Sequence, residues 1–176
     1  SSRMVSTPFH YLDCSVPSDG GGAVLVTRAE LARKWAPQPG YILGFGEAHV
    51  RGRVSDPGKL SDTGAKVSGA QAFRQAGMTP KDIDVAQLYD AFSVTPLVLL
   101  ENLGFCEPGQ AARFVQSGAI DPGGRLPVNT YGGLLSFGHT GDASGMCLVT
   151  AGAFQVMGSA GPNQVDRAER VLIHGY

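Results

Sequence analysis

Glycine sets the terms on which this chain can fold. It supplies 25 of 176 residues, twice the usual share of about 7%. Its positions follow no three-residue period and form no low-complexity tract, which excludes a collagen helix and a flexible linker. Isolated glycines inside apolar runs mark tight turns or close backbone approach. The glycine-rich window reads Val128-Asn129-Thr130-Tyr131-Gly132-Gly133-Leu134-Leu135-Ser136-Phe137-Gly138-His139-Thr140-Gly141-Asp142-Ala143-Ser144-Gly145. Glycines and small polar residues make it a loop region, and an apolar helix is predicted after it, over about 143–157.

Elsewhere short apolar runs alternate with helical patterns. Residues 23–27 are fit for a buried strand, 28–35 for a helix with Thr27 as N-cap, and 41–46 for a second strand. A polar loop through Arg51, Arg53, Asp56 and Pro57 follows. Residues 64–77 predict a helix with an apolar stripe at Ala65, Val67, Ala72, Phe73 and Ala76, stopped by Gly77. Thr79-Pro80-Lys81-Asp82 offers a cap, a proline at the first helical position and an early acid, which suits one short turn. Residues 83–89 return to strand, 92–103 to an apolar helix, 110–116 to a short helix and 170–174 to a last strand. Asp90 is expected to cap the helix after it. This order indicates an α/β layered structure.

Composition narrows function. Lys and Arg total 14 against 15 Asp and Glu, with no basic run, so a nucleic-acid binder driven by a basic field is excluded. Charged residues are 16% and hydrophobic ones 43%, where roughly 25% charged is usual; an extensive interface and a homo-oligomer are expected. Cys14, Cys106 and Cys147 form no CxxC pair, which favours a reducing, cytoplasmic setting over disulfides or a zinc site. No apolar stretch approaches the roughly 18 residues of a membrane span, and no signal peptide is expected at the start.

Four histidines can be weighed singly. His10 and Cys14 lie in a detached-looking leader, and His49 reads as a surface residue. His139 sits among glycines before a helix start, where a ring can project into a cleft beside free N–H donors; otherwise it caps a buried loop. His174 ends the last strand, where α/β clefts form. Tyr89 also ends a strand, and its phenol is either a hydrogen-bond donor in a site or an anchor to backbone with the ring in the core. Tyr131 has the same ambiguity. No G-x-S-x-G, Walker A or G-x-G-x-x-G motif is present, and no nucleophile stands out.

These blocks together resemble the thiolase superfamily. Asn129-Thr130-Tyr131-Gly132-Gly133, then Gly138-His139-Thr140-Gly141 and Ala143-Ser144-Gly145, are similar to Asn-x-x-Gly-Gly running into Gly-His-Pro and Gly-Ala-Ser-Gly. Tyr89-Asp90-Ala91-Phe92 after Asp82-Ile83-Asp84 looks like the loop reading Asn-Glu-Ala-Phe in ordinary thiolases and His-Asp-Cys-Phe in sterol-carrier-protein thiolases. Leu12-Asp13-Cys14 with Ser18-Asp19-Gly20-Gly21 resembles the end of the family's N-terminal domain, and Val171-Leu172-Ile173-His174-Gly175-Tyr176 the strand before its last catalytic loop.

The resemblance implies a C-terminal thiolase-like α/β domain over residues 40–176, a mixed β-sheet covered by helices and truncated before its last catalytic loop is complete. Residues 1–39 would close a preceding N-terminal thiolase domain. It implies an acyl-CoA enzyme making or breaking a carbon–carbon bond next to a thioester, as an acetyl-CoA acetyltransferase-like enzyme or a retro-aldolase in lipid or sterol breakdown. The alternative is a non-catalytic subunit that binds acyl-CoA or lipid. Coenzyme A thioester is the implied substrate, with no tightly bound cofactor and no metal. The family nucleophile is a cysteine in the N-terminal half, so that half is an expected partner, as is a small zinc-ribbon/OB-fold protein. His139 matches the histidine that activates the nucleophile, Tyr89 takes the place of the oxyanion-hole Asn or His, and His174 falls near the last-loop cysteine. Ala91 leaves the acid/base cysteine of the sterol-carrier type vacant. Asn129, Tyr131, Gly132, Gly133 and Gly138 are the implied substrate-binding positions.

Overall fold

Strand β3 (Val85–Leu88) is the axis on which the domain is built, and all of its residues are buried. The computed structural model describes residues 2–50 and 61–175. β3 pairs in parallel with β4 (Val171–His174), in register from Val85 opposite Val171 to Leu88 opposite His174. On its other edge Ala86 bridges Val128 in parallel: the Ala86 N–H donates to Pro127 O at 3.0 Å, and Asn129 N–H to Ala86 O at 2.9 Å. Parallel neighbours need long crossovers, and residues 89–170 provide them.

One face of this sheet carries Ala86, Leu88 and Leu172, packed with Leu99, Leu100 and Leu103 around helix α3 (Val94–Asn102) and with Ile83 and Leu126. Each fully buried leucine contributes about 1.5–3 kcal/mol relative to exposure. Helix α2 (Ala65–Ala76) reaches the same core with Ala65 and brings Gly69 against Leu103. Gly77 ends α2 in the left-handed conformation at φ +64°, as its position predicts. Thr79 and Asp82 form a capping box around the turn Pro80–Asp82. The opposite face is covered by helix α6 (Ser144–Val156), where Gly152 leaves the space that Ile173 and Val171 fill. Short helices α4 (Ala111–Gln116) and α5 (Gly133–Ser136) complete the crossovers.

Near the start, β1 (Met4–Ser6) and β2 (Phe9–His10) form an antiparallel hairpin, and α1 (Ala29–Trp35) follows. Two strand expectations do not hold. Residues 23–27 form no strand, and Leu25 and Val26 are 81% and 70% exposed. Residues 41–46 are also without a ladder. They lie along α2, where Gln75 Oε1 accepts the Phe45 N–H at 2.9 Å and Gln71 Oε1 the Glu47 N–H at 3.2 Å. An apolar run becomes a strand only where a neighbouring strand offers its peptide groups, and here a helix stands beside it. Arg28, not Thr27, occupies the N-cap position of α1. Ser93, not Asp90, occupies that of α3, because the Asp90 carboxylate is engaged elsewhere. The polar loop at Arg51, Arg53, Asp56 and Pro57 lies outside the described residues.

Candidate active site at the end of the central strand

Tyr89 follows β3 directly, and its position is set by clamps on both of its neighbours. Before it, Asn129 spans the Leu88 peptide groups: Oδ1 accepts the Leu88 N–H at 2.7 Å, and Nδ2 donates to Leu88 O at 2.8 Å. Asn129 has φ +50°, a left-handed conformation that asparagine tolerates better than most residues. After it, the buried Asp90 carboxylate accepts the Leu134 N–H at 2.7 Å. Burial pushes the Asp90 carboxyl up from its usual range, opposed by hydrogen bonds from the Leu134 and Leu135 backbone and the Asn129 side chain. Gly133 at φ +67° passes so close that any Cβ there would run into this carboxylate. The loops 88–93 and 129–138 are thus locked to each other.

His139 arrives from the second loop, and its Nε2 lies 2.7 Å from Tyr89 Oη. The rings meet edge-on, with centroids 5.8 Å apart and planes at 83°. Burial raises the Tyr89 phenol above its usual value, and the charges of Asp90 and Asp142 add to this, so at neutral pH the phenol keeps its proton. The histidine and tyrosine singled out in the sequence therefore form one hydrogen-bonded pair at the end of the sheet.

A strap made by residues 13–18 holds the pair from outside. Ser93 N–H donates to Asp13 O at 2.9 Å, and the Ser93 hydroxyl to the Asp13 carboxylate at 2.7 Å. Ser15 N–H donates to Ala91 O at 2.9 Å; His139 N–H donates to Val16 O, and Ser18 N–H to His139 O, both at 3.0 Å. The strap runs so close to Gly138 (φ +133°) that a side chain there would collide with Ser18. The leader that looks detached in the sequence is hydrogen-bonded to both loops. The contacts that Asp13, Ser18 and Asp90 make here are not visible in the sequence because their partners lie far along the chain; Gly138 next to His139 is a local sign of the close approach.

The other candidates are placed differently. His174 O accepts the Tyr89 N–H at 3.0 Å. Its ring shares the sheet parity of Leu88 and Leu172, which pack in the core. Its Nδ1 is buried without a hydrogen-bond partner among the described residues, and burial lowers its pKa, so the ring is neutral. His174 joins the site through its backbone. Tyr131 stacks edge-on against Phe137 at 5.7 Å, and its hydroxyl is buried without a hydrogen-bond partner among the described residues. It lines a small cavity of about 80 Å³ with Thr130, Phe154 and Gln155. Gly132 at φ +106° precedes α5. Both polar atoms of the Asn129 amide are taken by Leu88, and Gly132, Gly133 and Gly138 shape the loops. His49 bonds Glu47 at 2.8 Å on the surface. Burial and the nearby Glu101 and Glu107 raise the Cys106 thiol, which disfavours a thiolate nucleophile. Among the described residues no cluster of His, Cys, Asp and Glu is arranged to hold a metal, and no helix is long and apolar enough to cross a membrane.

Residues 46–176 match the family described as thiolase C-terminal domain-like. The chain belongs to this family. An acetyl-CoA acetyltransferase of Methanothermobacter thermautotrophicus is 35% identical over 175 residues, covering 99% of this chain and 46% of the relative. A 17-hydroxy-3-oxo-4-pregnene-20-carboxyl-CoA lyase of Mycobacterium tuberculosis is 36% identical over 184 residues, covering 98% of this chain and 45% of the relative. The solved structure of an Ltp2-ChsH2(DUF35) aldolase matches with a TM-score of 0.78 at 31% identity, covering 98% of this chain and 45% of that one. The thiolase-like chain spans about half the length of the curated relatives it matches. Its α/β sheet with helices on both faces is the thiolase C-terminal-like fold that the resemblance implies.

Proposed function

We propose that this thiolase-like domain is part of an acyl-CoA enzyme that makes or breaks a carbon–carbon bond next to a thioester, by acyl transfer or by retro-aldol cleavage in lipid or sterol breakdown. The 2.7 Å contact between Tyr89 Oη and His139 Nε2 carries this reading. Both reactions pass through an enolate or a tetrahedral oxyanion, and a protonated phenol joined to an imidazole at a strand end is a source of oriented hydrogen bonds for such charge. The loops that hold the pair are fixed by buried hydrogen bonds, so little reorganisation is needed as charge develops. The names of the relatives, a CoA lyase and an acetyltransferase, support the thioester class of substrate.

In this reading residues 1–39 close the preceding domain, residues 40–176 form the C-terminal one, and the other half of the polypeptide supplies the nucleophile and the rest of the substrate cleft. His174 and Tyr131 border the site, and the loop at Gly132, Gly133 and Gly138 faces the acyl group. A second polypeptide of zinc-ribbon/OB-fold type is a proposed partner, supported by the two-component name of the solved aldolase, Ltp2-ChsH2(DUF35). Homo-oligomerisation is supported by exposed apolar residues such as Leu12, Ile42 and Phe45, and a cytoplasmic site by three free cysteines.

The complete protein, assayed on a panel of 3-oxoacyl-CoA and 3-hydroxyacyl-CoA thioesters, tests the proposal. Acyl transfer needs added coenzyme A and yields a shortened thioester, whereas retro-aldol cleavage yields an aldehyde or ketone without it. Turnover in one assay is expected. Intact acyl-CoA binding with no turnover in either would replace the enzyme by a non-catalytic binding subunit.

A further inference from the structure

A neutral imidazole carries its hydrogen on one nitrogen only, and the surroundings of His139 Nδ1 decide which. The Gly141 N–H points at Nδ1 from 3.1 Å. Ser144 Oγ lies 3.3 Å from the same nitrogen and accepts the Thr140 N–H at 3.0 Å. A backbone N–H is a donor and nothing else, so the nitrogen facing Gly141 has to be an acceptor. Ser144 is 1% exposed, so its hydroxyl hydrogen needs an acceptor inside the protein. With the Thr140 N–H already on its oxygen, that hydrogen is directed to Nδ1. Gly141 adopts φ +62°, a turn that glycine takes at little cost and that carries its N–H back over the ring two residues earlier.

We propose that Ser144, with the Gly141 N–H beside it, is a positioning residue that holds His139 as the Nε2–H tautomer, so that the imidazole donates to the Tyr89 phenol oxygen. A donor on Oη stabilises negative charge there and makes the phenol the stronger hydrogen-bond donor toward an oxyanion. The direction of the bond at 2.7 Å is thereby set from behind the ring, by residues that reach the pair only through Nδ1. Any effect on rate rests on the acyl-CoA reading above; the tautomer does not.

The test labels the histidines of the complete protein with ¹⁵N and reads both ring nitrogens of His139, identified by their loss in His139→Gln, at a pH where the imidazole is neutral. The parent is expected to carry its proton on Nε2, with Nδ1 unprotonated and shifted by hydrogen bonding. Ser144→Ala is expected to move Nδ1 toward the position of an unbonded nitrogen and to lower kcat about tenfold with KM unchanged, and Ser144→Thr to restore both. A proton on Nδ1 in the parent, or an Nδ1 signal that Ser144→Ala leaves in place, overturns the proposal. The parent spectrum decides the tautomer even if Ser144→Ala does not fold. A complete protein without turnover counts against the acyl-CoA reading alone, and the nitrogen signals still decide this one.

Discussion

Residues 41–46 and 83–89 are both short, largely apolar runs that the sequence marks as strands, yet they end in opposite states. Val85, Ala86, Gln87 and Leu88 are all buried, with β4 on one edge and the segment at Val128 on the other. Ile42 and Phe45 are 75% and 70% exposed, and backbone N–H groups of their segment are held by glutamine side chains of α2 rather than by a strand. Apolar content alone does not make a strand, because its peptide groups need partners in place before the side chains can be buried. The doubly paired strand is also the one that ends in the Tyr89–His139 pair, so a backbone held on both edges carries the candidate chemistry.

The comparison can be broken most sharply at the buried end. In the complete protein His139→Ala is expected to lower kcat by about 10²–10⁴-fold; a value within a few-fold of the parent would separate the rigid strand end from any chemistry. A contrast in stability comes next. In urea unfolding of this chain, Leu88→Ala is expected to cost about 2–5 kcal/mol and Ile42→Ala no more than about 0.5 kcal/mol. Equal losses would show that residues 41–46 are buried after all. Gly133→Ala forces a left-handed alanine into the Asp90 carboxylate and is expected to cost about 1–3 kcal/mol by the same measurement; Gly21→Ala, with open space around it, serves as the neutral control.

The smallest expected effect is one of pH. Burial lowers the His174 pKa, so the folded chain keeps the ring neutral while the unfolded chain takes up a proton near pH 6.5. The stability held by the neutral ring is complete above about pH 6.5 and is lost as pH falls through the lowered folded value. Urea midpoints measured across this range should fall on the acid side in the parent and flatten in His174→Gln. An unchanged slope would mean that the ring is open to water, like the exposed segment and unlike β3.

Much of the fold was legible because its signals are local. Gly77 stops a helix in the left-handed conformation it prefers, and Thr79 with Asp82 closes a capping box over three residues. The glycines around His139 mark a close backbone approach, and that approach is the Ser18 strap. Asp90 misled for the opposite reason. Its place before a helix suggests a cap, but its partners Leu134 and Leu135 arrive from another loop. Ser15 gave no local sign, since it reaches Ala91 through a backbone group that every residue possesses, and the Asp13 carboxylate finds its Ser93 hydroxyl 80 positions along the chain.

Helices α2, α3, α4 and α6, strands β3 and β4, the turns that need glycine and the family to which the chain belongs were legible in the sequence alone, because each rests on residue types and their local spacing. Which apolar run becomes a paired strand, which carboxylate is locked inside and which way the His139 ring faces were decided only in three dimensions. Those outcomes depend on hydrogen-bond partners and excluded water brought together by residues tens of positions apart, and no short stretch of sequence encodes them.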